Sequence, residues 1–183
     1  MTHRARLIVA AFAALVLVAC QDDKVKPTVD ETFEVAEMPA QEGWRSRVVF
    51  SDSGKTRAVL NYGHLRMYVE RRETLLDSGV VIDFYNKNEE RNATLTAERG
   101  MVDDRTNDMY AYDDVVVRND SGAVLRTEKL KWINVERRIS TDEFFTLDTP
   151  REYIEGYGFE SDPDLENYTM YRITYVTNTD TTL

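Results

Sequence analysis

The residue with the most specific chemical context in this sequence is Cys20, the single cysteine among 183 residues. A short basic start with Arg4 and Arg6 comes first, an unbroken apolar run follows over residues 7–18, and Ala19 stands directly before the cysteine. This order is typical of a bacterial signal peptide that ends in a lipobox, where the cysteine thiol receives a diacylglyceryl group. The sequence therefore predicts a signal peptide over residues 1–19 and a membrane anchor through lipid on Cys20.

The alternative to a lipid anchor is a chance cysteine at the end of an uncleaved transmembrane segment. The polar stretch from Gln21 to Lys24 begins after about a dozen apolar residues, whereas a spanning helix needs about 20. A lone cysteine also excludes a disulfide framework and a zinc site built from several cysteines. Because two acyl chains give stable membrane binding, a lipidated Cys20 would be sufficient to hold the protein on a membrane.

The other residues that could do chemistry do not form a recognisable catalytic set. His64 is the single histidine outside residues 1–19, so it supports neither a Cys-His pair nor a metal site rich in histidine. Acidic pairs could act as glycosidase carboxylates or calcium ligands, but nearby turn residues favour solvated loops at Glu89-Glu90, Asp103-Asp104 and Asp113-Asp114. We expect no enzymatic activity, no cofactor and no metal, and we expect His64 at the surface or at a strand end.

The charge of the chain limits the class of its partners. The formal net charge is −10 at pH 7, and loss of residues 1–19 with Arg4 and Arg6 makes it more negative. Such a surface repels phosphodiester backbones, so nucleic-acid binding is not expected, and it disfavours lying flat on anionic lipid. Residues 20–43 contain Pro27 and Pro39 and little apolar periodicity, which indicates a flexible tether after the lipidated N-terminus. The folded domain is predicted over residues 44–176, with a polar tail over residues 177–183.

The elements that must position any site are β-strands. Apolar residues stand at every second position in short runs, and turns rich in Asn, Asp and Gly separate these runs. Strands are predicted over residues 47–50, 57–62, 65–69, 79–85, 93–97, 108–118, 124–132, 138–141, 143–147 and 168–176. No segment keeps a 3.6-residue apolar period beyond a turn or two. The sequence predicts an all-β fold of repeated antiparallel strand pairs that form an open, twisted jelly roll or sandwich.

An internal repeat underlies this pattern. A shift of 35 residues places Leu60 on Leu95, and a further shift of 30 places Leu95 on Leu125. Alternation within each unit puts the apolar residues on a common face of the sheet. That face is either a filled core or the lining of a lipid-binding groove, and the pattern does not separate the two. The candidate groove residues are Ile82, Phe84, Leu95, Val115, Val117 and Phe145.

Four segments in order give the chain a resemblance to a known family. They are Leu95-x-Ala97-x-x-Gly100-x-Val102-Asp103, Gly122-x-Val124-Leu125-x-Thr127-x-x-Leu130-x-Trp132, Ile139-x-Thr141-Asp142 and Ile154-x-Gly156-x-Gly158-Phe159-x-x-Asp162-x-x-Leu165. Together they resemble the LptC family of lipopolysaccharide transport. The resemblance implies a jelly roll whose interior passes the acyl chains of lipopolysaccharide. It also implies an inner-membrane ABC transporter that supplies this lipid and a periplasmic bridge protein of similar fold that receives it.

The address implied by the resemblance is the periplasmic side of the inner membrane of a Gram-negative bacterium. Better-known members are held there by an N-terminal transmembrane helix, whereas residues 17–20 of this chain indicate a lipid anchor. Gln21 follows the cysteine in place of the aspartate that is often linked with inner-membrane retention. The inner-membrane address therefore depends on the resemblance.

Docking to a partner is predicted at the C-terminal end of the domain. The strand over residues 168–176 has no later element to cover it, and an uncovered edge can pair with a strand of another chain. Gly156 and Gly158 indicate a bulge or a close backbone contact, and the resemblance adds that this turn sets the last strands against the partner. The candidate docking residues are thus Gly156, Gly158, Tyr171 and Ile173. The alternative function is an envelope β-sandwich lipoprotein that binds a carbohydrate or a protein, which would present exposed aromatic residues at loop tips.

Overall fold

The computed structural model describes residues 38–178. Cys20, the predicted signal peptide and most of the predicted tether lie outside this range. The described part contains ten β-strands and no helix, and their bounds are β1 Gln41–Asp52, β2 Lys55–Tyr68, β3 Glu73–Tyr85, β4 Arg91–Ala97, β5 Arg99–Asp103, β6 Asp108–Asn119, β7 Val124–Ile133, β8 Arg138–Asp148, β9 Glu152–Ser161 and β10 Tyr168–Asn178. The predicted all-β class is confirmed.

The strands form one antiparallel sheet in nearly sequential order. Neighbours follow the path β1-β2-β3-β4-β6-β7-β8-β9-β10, and the short β5 pairs with β3 and β6 beside β4. The strands are thus joined by hairpin connections, as the repeated pairs of the sequence predict. β1 and β10 are the two ends of the path, so each has a strand neighbour on one side only.

The alternation and the repeat of the sequence appear as rows across the sheet. One row of cross-strand partners runs through all nine strands of the path, and Leu60, Leu95 and Leu125, which the repeat places on one another, all lie in it. The row consists of Val48, Leu60, Ile82, Leu95, Val117, Leu125, Leu147, Ile154 and Val176. This row explains the repeat in the sequence, because each strand of the path contributes one apolar residue to it.

The sheet folds over along a line of irregularities near the middle of the strands. Register shifts interrupt the β2–β3, β6–β7, β7–β8 and β8–β9 pairings there, and β4 and β5 are separated at Glu98. Positive φ angles at Ser78, Gly79, Asp113 and Asp114 mark the same line. Bulges bend a strand and increase its twist. Each long strand therefore contributes one half to each of two facing leaves.

We name the two halves by their residues. Leaf 1 contains residues 46–52, 56–62, 80–85, 91–97, 115–119, 124–127, 144–148 and 153–157, and each leaf includes the connections at its own tip. Leaf 2 contains residues 64–68, 73–77, 99–103, 108–112, 130–133, 138–141, 159–161 and 168–170. The sandwich is thus built from one folded sheet whose strands pass from one leaf to the other.

Three predicted strand boundaries are wrong for the same reason. The sequence predicted breaks after Tyr62 and after Thr141, but β2 and β8 continue through these points with a bulge. Likewise β3 begins at Glu73, before the predicted start at Gly79. A bulge leaves its extra residue unpaired while the hydrogen-bond ladder resumes on both sides. In the sequence it therefore resembles a turn.

A single apolar core lies between the leaves. Phe145 of leaf 1 and Phe159 of leaf 2 are fully buried, with ring centroids 5.2 Å apart. Gly63 permits close packing at the fold line, because a Cβ there would lie 2.2 Å from the Ser78 carbonyl oxygen. Burial of a large apolar side chain contributes about 1.5–3 kcal/mol. The facing apolar surfaces therefore hold the leaves together.

Candidate functional site

A large cavity opens where the tips of the two leaves stand apart. Its volume is about 960 Å³, near the upper end of the roughly 300–1,000 Å³ typical of small-molecule sites. Five strand connections contribute to its wall, with Asp52, Asn86, Asn107, Arg137 and Asp164 as one lining residue from each. We call the opening between these connections the mouth. Since the connections are far apart in sequence, only the folding of the sheet brings them together.

The floor of the cavity is apolar and continues into the core. Phe84 of leaf 1 and Trp132 of leaf 2 meet there with ring centroids 5.8 Å apart. Both rings also line a second, smaller void of about 20 Å³ deeper between the leaves. The remaining apolar residues of the large cavity are Phe50, Ala58, Val102, Met109 and Pro163. An alkyl chain entering at the mouth would thus contact apolar surface along the floor, while polar and charged residues line the rest of the wall.

The connection between β9 and β10 closes one side of the mouth. Leu165 is buried in the core, and the Asp164 carbonyl accepts a hydrogen bond of 2.7 Å from Asn119 Nδ2. The Asp164 carboxylate accepts a 3.2 Å bond from Asn92 Nδ2, while its other oxygen has no partner. These bonds link leaf 1 to a connection that belongs to leaf 2. They leave the mouth open on the side of β1, β2 and β3.

Two carboxyl groups in this connection titrate differently. Burial raises the pKa of Asp164 to about 6, and the nearby charges of Asp162 and Glu166 act in the same direction. Burial also opposes ionisation of Asp162, but hydrogen bonds from Asn167 and Glu166 hold its pKa below the usual value. Asp162 therefore organises the connection as an ionised acceptor.

One ion pair joins the leaves within residues 38–178. Arg137, in the β7–β8 turn of leaf 2, donates from Nη2 to Asp52 Oδ2 at 3.0 Å, and Asp52 ends β1 at the tip of leaf 1. The other ion pairs of the described residues lie within one leaf, at the fold line or within a turn. The Asp52–Arg137 pair thus crosses the mouth on the side that the β9–β10 connection leaves open.

The six predicted groove residues share one apolar face, but they occupy different depths. All six are buried in the same core cluster: Ile82, Phe84, Leu95, Val115, Val117 and Phe145. Phe84 lines the large cavity, and Ile82 and Leu95 line the small void. Val115, Val117 and Phe145 are packed against other side chains. The predicted groove is therefore filled near the fold line and open at the mouth.

The predicted docking residues lie together at the sheet edge formed by β9 and β10. Tyr171 and Ile173 of β10 have exposed fractions of 60% and 50%. Gly156 of β9 lies opposite Ile173, and a Cβ on it would be 2.5 Å from the Arg172 carbonyl oxygen. Gly158 has φ of 79° and lies against the Tyr171 ring. Both glycines thus permit the close approach of β9 and β10, as the bulge interpretation predicted.

One member of each acidic pair considered in the sequence makes a structural contact. Arg105 holds the pKa of Asp103 near 2 through side-chain and main-chain hydrogen bonds, and Asp113 pairs with Arg99 at the fold line. Glu89 accepts a bond from the Thr56 main chain. Across residues 38–178 there is no group of three or more His, Cys, Asp or Glu side chains that could hold a metal ion.

His64 is half-buried and does not lie at a strand end. It lies within β2 beside the bulge, where its ring stacks on Trp44 with centroids 5.1 Å apart and its Nδ1 is 3.3 Å from Asp77 Oδ1. The strand-end prediction was wrong because the bulge resembles a turn in the sequence but does not end the strand.

Sequence reasoning did not find the residues of the mouth. Arg57 and Met109 were predicted within strands, and Arg137 lies between two predicted strands, so nothing marked them as residues of one cavity. The repeat places alternate turns at the same end of the sheet, but it does not show that folding brings the two ends together.

The described residues contain no helix long and apolar enough to cross a membrane. No curated protein matches the chain. A family model described as "Lipopolysaccharide-assembly, LptC-related" matches residues 6–176, which is nearly the whole chain. The match includes every strand except the last two residues of β10 and all residues of the cavity and the mouth. The chain therefore belongs to the LptC family and has a role in lipopolysaccharide transport.

Proposed function

We propose that this protein is a non-enzymatic relay that takes lipopolysaccharide from an inner-membrane ABC transporter and passes it to a periplasmic bridge protein. The observation that carries the proposal is the cavity of about 960 Å³ with an apolar floor, set between two leaves of a sheet whose edge strands, β1 and β10, each pair with one neighbouring strand among the described residues. The cavity would hold acyl chains, and the two edges would meet the neighbouring proteins.

The energetics of acyl chains favour a continuous path between proteins. Each methylene group removed from water contributes about 0.8 kcal/mol, so ten of them hold a chain by about 8 kcal/mol. Release into water would be correspondingly slow, whereas sliding into a similar apolar cavity changes the free energy little. A relay therefore requires that the next protein continue the groove, and strand pairing at a sheet edge provides such continuity.

Both edges carry apolar side chains that a partner could cover. On β1 the exposed apolar residues include Trp44 and Val49, and on β10 they include Tyr171, Ile173 and Tyr175. In this proposal β10 faces the bridge protein and the end near Trp44 faces the membrane complex. The alternative of a carbohydrate-binding sandwich gains no support, because the exposed aromatic residues lie within strands and the cavity floor is apolar.

Photo-crosslinking in living cells tests the cargo. A photo-crosslinking amino acid at Phe84, Val102 or Phe50 is expected to give adducts with lipopolysaccharide, because these positions line the cavity. The matched position is Arg118, which is exposed and outside the cavity and should give none. Absence of lipid adducts at all three lining positions, with the variants stably expressed, would favour a protein-binding or carbohydrate-binding function.

The proposed anchor is tested at Cys20. Cys20→Ala is expected to prevent incorporation of a labelled fatty acid and to release the domain from membranes, because two acyl chains supply the attachment. Asp22→Ala, next to the anchor, serves as the control and should remain labelled and bound. A Cys20→Ala protein that still incorporates the fatty acid would disprove the lipid anchor.

A further inference from the structure

At the mouth of the cavity, a carboxylate of the protein itself is bound to an arginine side chain. The Asp52 carboxylate of leaf 1 accepts a 3.0 Å hydrogen bond from the Arg137 guanidinium of leaf 2. Arg57 lines the same cavity, and its guanidinium donates to the Asn86 carbonyl at 3.1 Å. The pKa of Asp52 is lowered by hydrogen bonds from Arg137 and Ser53 and by the charges of Arg137 and Arg57. The Arg137 guanidinium of leaf 2 thus holds one carboxylate of leaf 1, and Arg57 lines the same cavity; we call the position of this carboxylate the anion seat.

The surroundings of the anion seat match an amphiphile. Lys87 adds a third cationic side chain to the wall of the cavity. Directly below, the aromatic pair of Phe84 and Trp132 begins the apolar floor. A negative head at the rim and an alkyl chain on the floor would satisfy both parts, which neither a free anion nor a neutral lipid does.

We propose that the anion seat binds a phosphate of the lipid cargo, which displaces Asp52 from Arg137 while the acyl chain enters the cavity. This inference rests on the proposed function, since it names the part of the cargo recognised at the mouth. Arginine binds phosphate through two parallel hydrogen bonds, and a phosphate monoester carries about −1.5 to −2 charges at pH 7. A single exposed carboxylate is the weaker ligand, because exposed ion pairs contribute little to stability. Displacement would also remove the one ion pair that joins the leaves across the open side of the mouth in the described residues.

Binding to the purified full chain is measured by quenching of tryptophan fluorescence. Trp132 lines the cavity, and Trp44 is the other tryptophan, replaced by phenylalanine for this assay. The probes are lysophosphatidic acid with a brominated acyl chain and the monoacylglycerol with the same chain. They differ only in the phosphate, so their affinity ratio reports on the anion seat. Inorganic phosphate is added separately as a competitor.

The proposal predicts opposite effects for the two halves of the ion pair. Arg137→Gln and Arg57→Gln should each weaken binding of the phosphorylated lipid by about threefold or more, with the neutral lipid unaffected. Asp52→Asn should strengthen binding of the phosphorylated lipid, because it removes the competing carboxylate. If the ion pair served only to hold the leaves, Asp52→Asn and Arg137→Gln would change binding of both lipids in the same direction.

Controls separate the anion seat from the relay function. Arg118→Gln removes an exposed cation outside the cavity and should change neither affinity. Equal binding of both lipids by wild type and all three seat variants would overturn the anion seat while leaving the cavity as a lipid site. Absence of Trp132 quenching by either lipid would instead contradict the proposed function. Inorganic phosphate that displaced the phosphorylated lipid at concentrations similar to those of the lipid itself would overturn the assignment to a lipid headgroup.

Discussion

Leu95→Asp or Val117→Asp is expected to leave the domain unfolded. Leu95 is 4% exposed and Val117 1% exposed, and they are cross-strand partners in the apolar row that runs through the sheet. Loss of a buried leucine side chain alone costs about 2–5 kcal/mol. An unpaired carboxylate in the same place adds several kcal/mol, or becomes protonated at a comparable cost. The sum approaches the whole stability of a typical domain, about 5–15 kcal/mol.

The neighbouring positions provide matched controls. Thr96 follows Leu95 in β4, and its side chain is exposed on the opposite face. Thr96→Asp introduces the same charge one residue away and should change the free energy of unfolding by about 0.5 kcal/mol or less. Circular dichroism and thermal unfolding of the purified variants measure the difference. Equal melting temperatures for Leu95→Asp and Thr96→Asp would show that the facing of β4 is wrong.

The sequence predicts the faces of this sheet well, because a period of two is visible without any knowledge of the partner strand. Leu60, Leu95 and Leu125 were aligned by the repeat alone, and the structure places them in one row. The last strand was likewise predictable, since residues 168–176 are rich in β-branched and aromatic side chains. Residue composition and alternation are local properties of the sequence, so they can be recognised before the partner strands are known.

The fold line could not be predicted for the opposite reason. A bulge is defined by the pairing of two strands, which the sequence of one strand does not show. Asp113 and Asp114 lie at the fold line with φ of 63° and 50°, but aspartate pairs are also common in turns. The sequence pattern therefore predicted breaks within β2 and β8 and did not predict β5, which begins at the fold line where β4 ends. Where the strands bend depends on the partner strand.

The candidate site shows the same division. Alternation placed Ile82, Phe84 and Val115 on one face, but the depth of each side chain between the leaves depends on the angle of the fold. Phe84 thus lines the cavity while Val115 is packed in the core. The charged residues of the mouth, Asp52 and Arg137, are 85 positions apart, and no periodicity connects them.

Disruption of the β10 edge is expected to abolish association with the bridge protein. Within residues 38–178, β10 pairs with β9 alone, and its residues from Tyr171 to Asn178 are exposed. Gly156→Arg should displace β10, because even a Cβ at this position would lie 2.5 Å from the Arg172 carbonyl oxygen. Deletion from Tyr168 onward removes the strand entirely. Both changes also disturb the fold, since the Tyr168 ring stacks on Phe159 of the core with centroids 5.9 Å apart.

Proline substitution at Tyr171 and at Arg172 separates docking from folding. Successive residues of an edge strand direct their N–H groups alternately to the neighbouring strand and to the open side. One of the two prolines therefore removes a hydrogen bond to β9 and lowers the melting temperature, while the other removes an N–H that only a partner strand could use. The variant with the near-native melting temperature should lose at least about tenfold in affinity for the bridge protein in a pull-down. Native affinity in that stable variant, and in folded protein truncated after Ile173, would show that the bridge protein does not dock on β10. An edge that tolerates both changes would leave β1, with exposed Trp44 and Val49, as the remaining open edge of the path to which a bridge could add its strand.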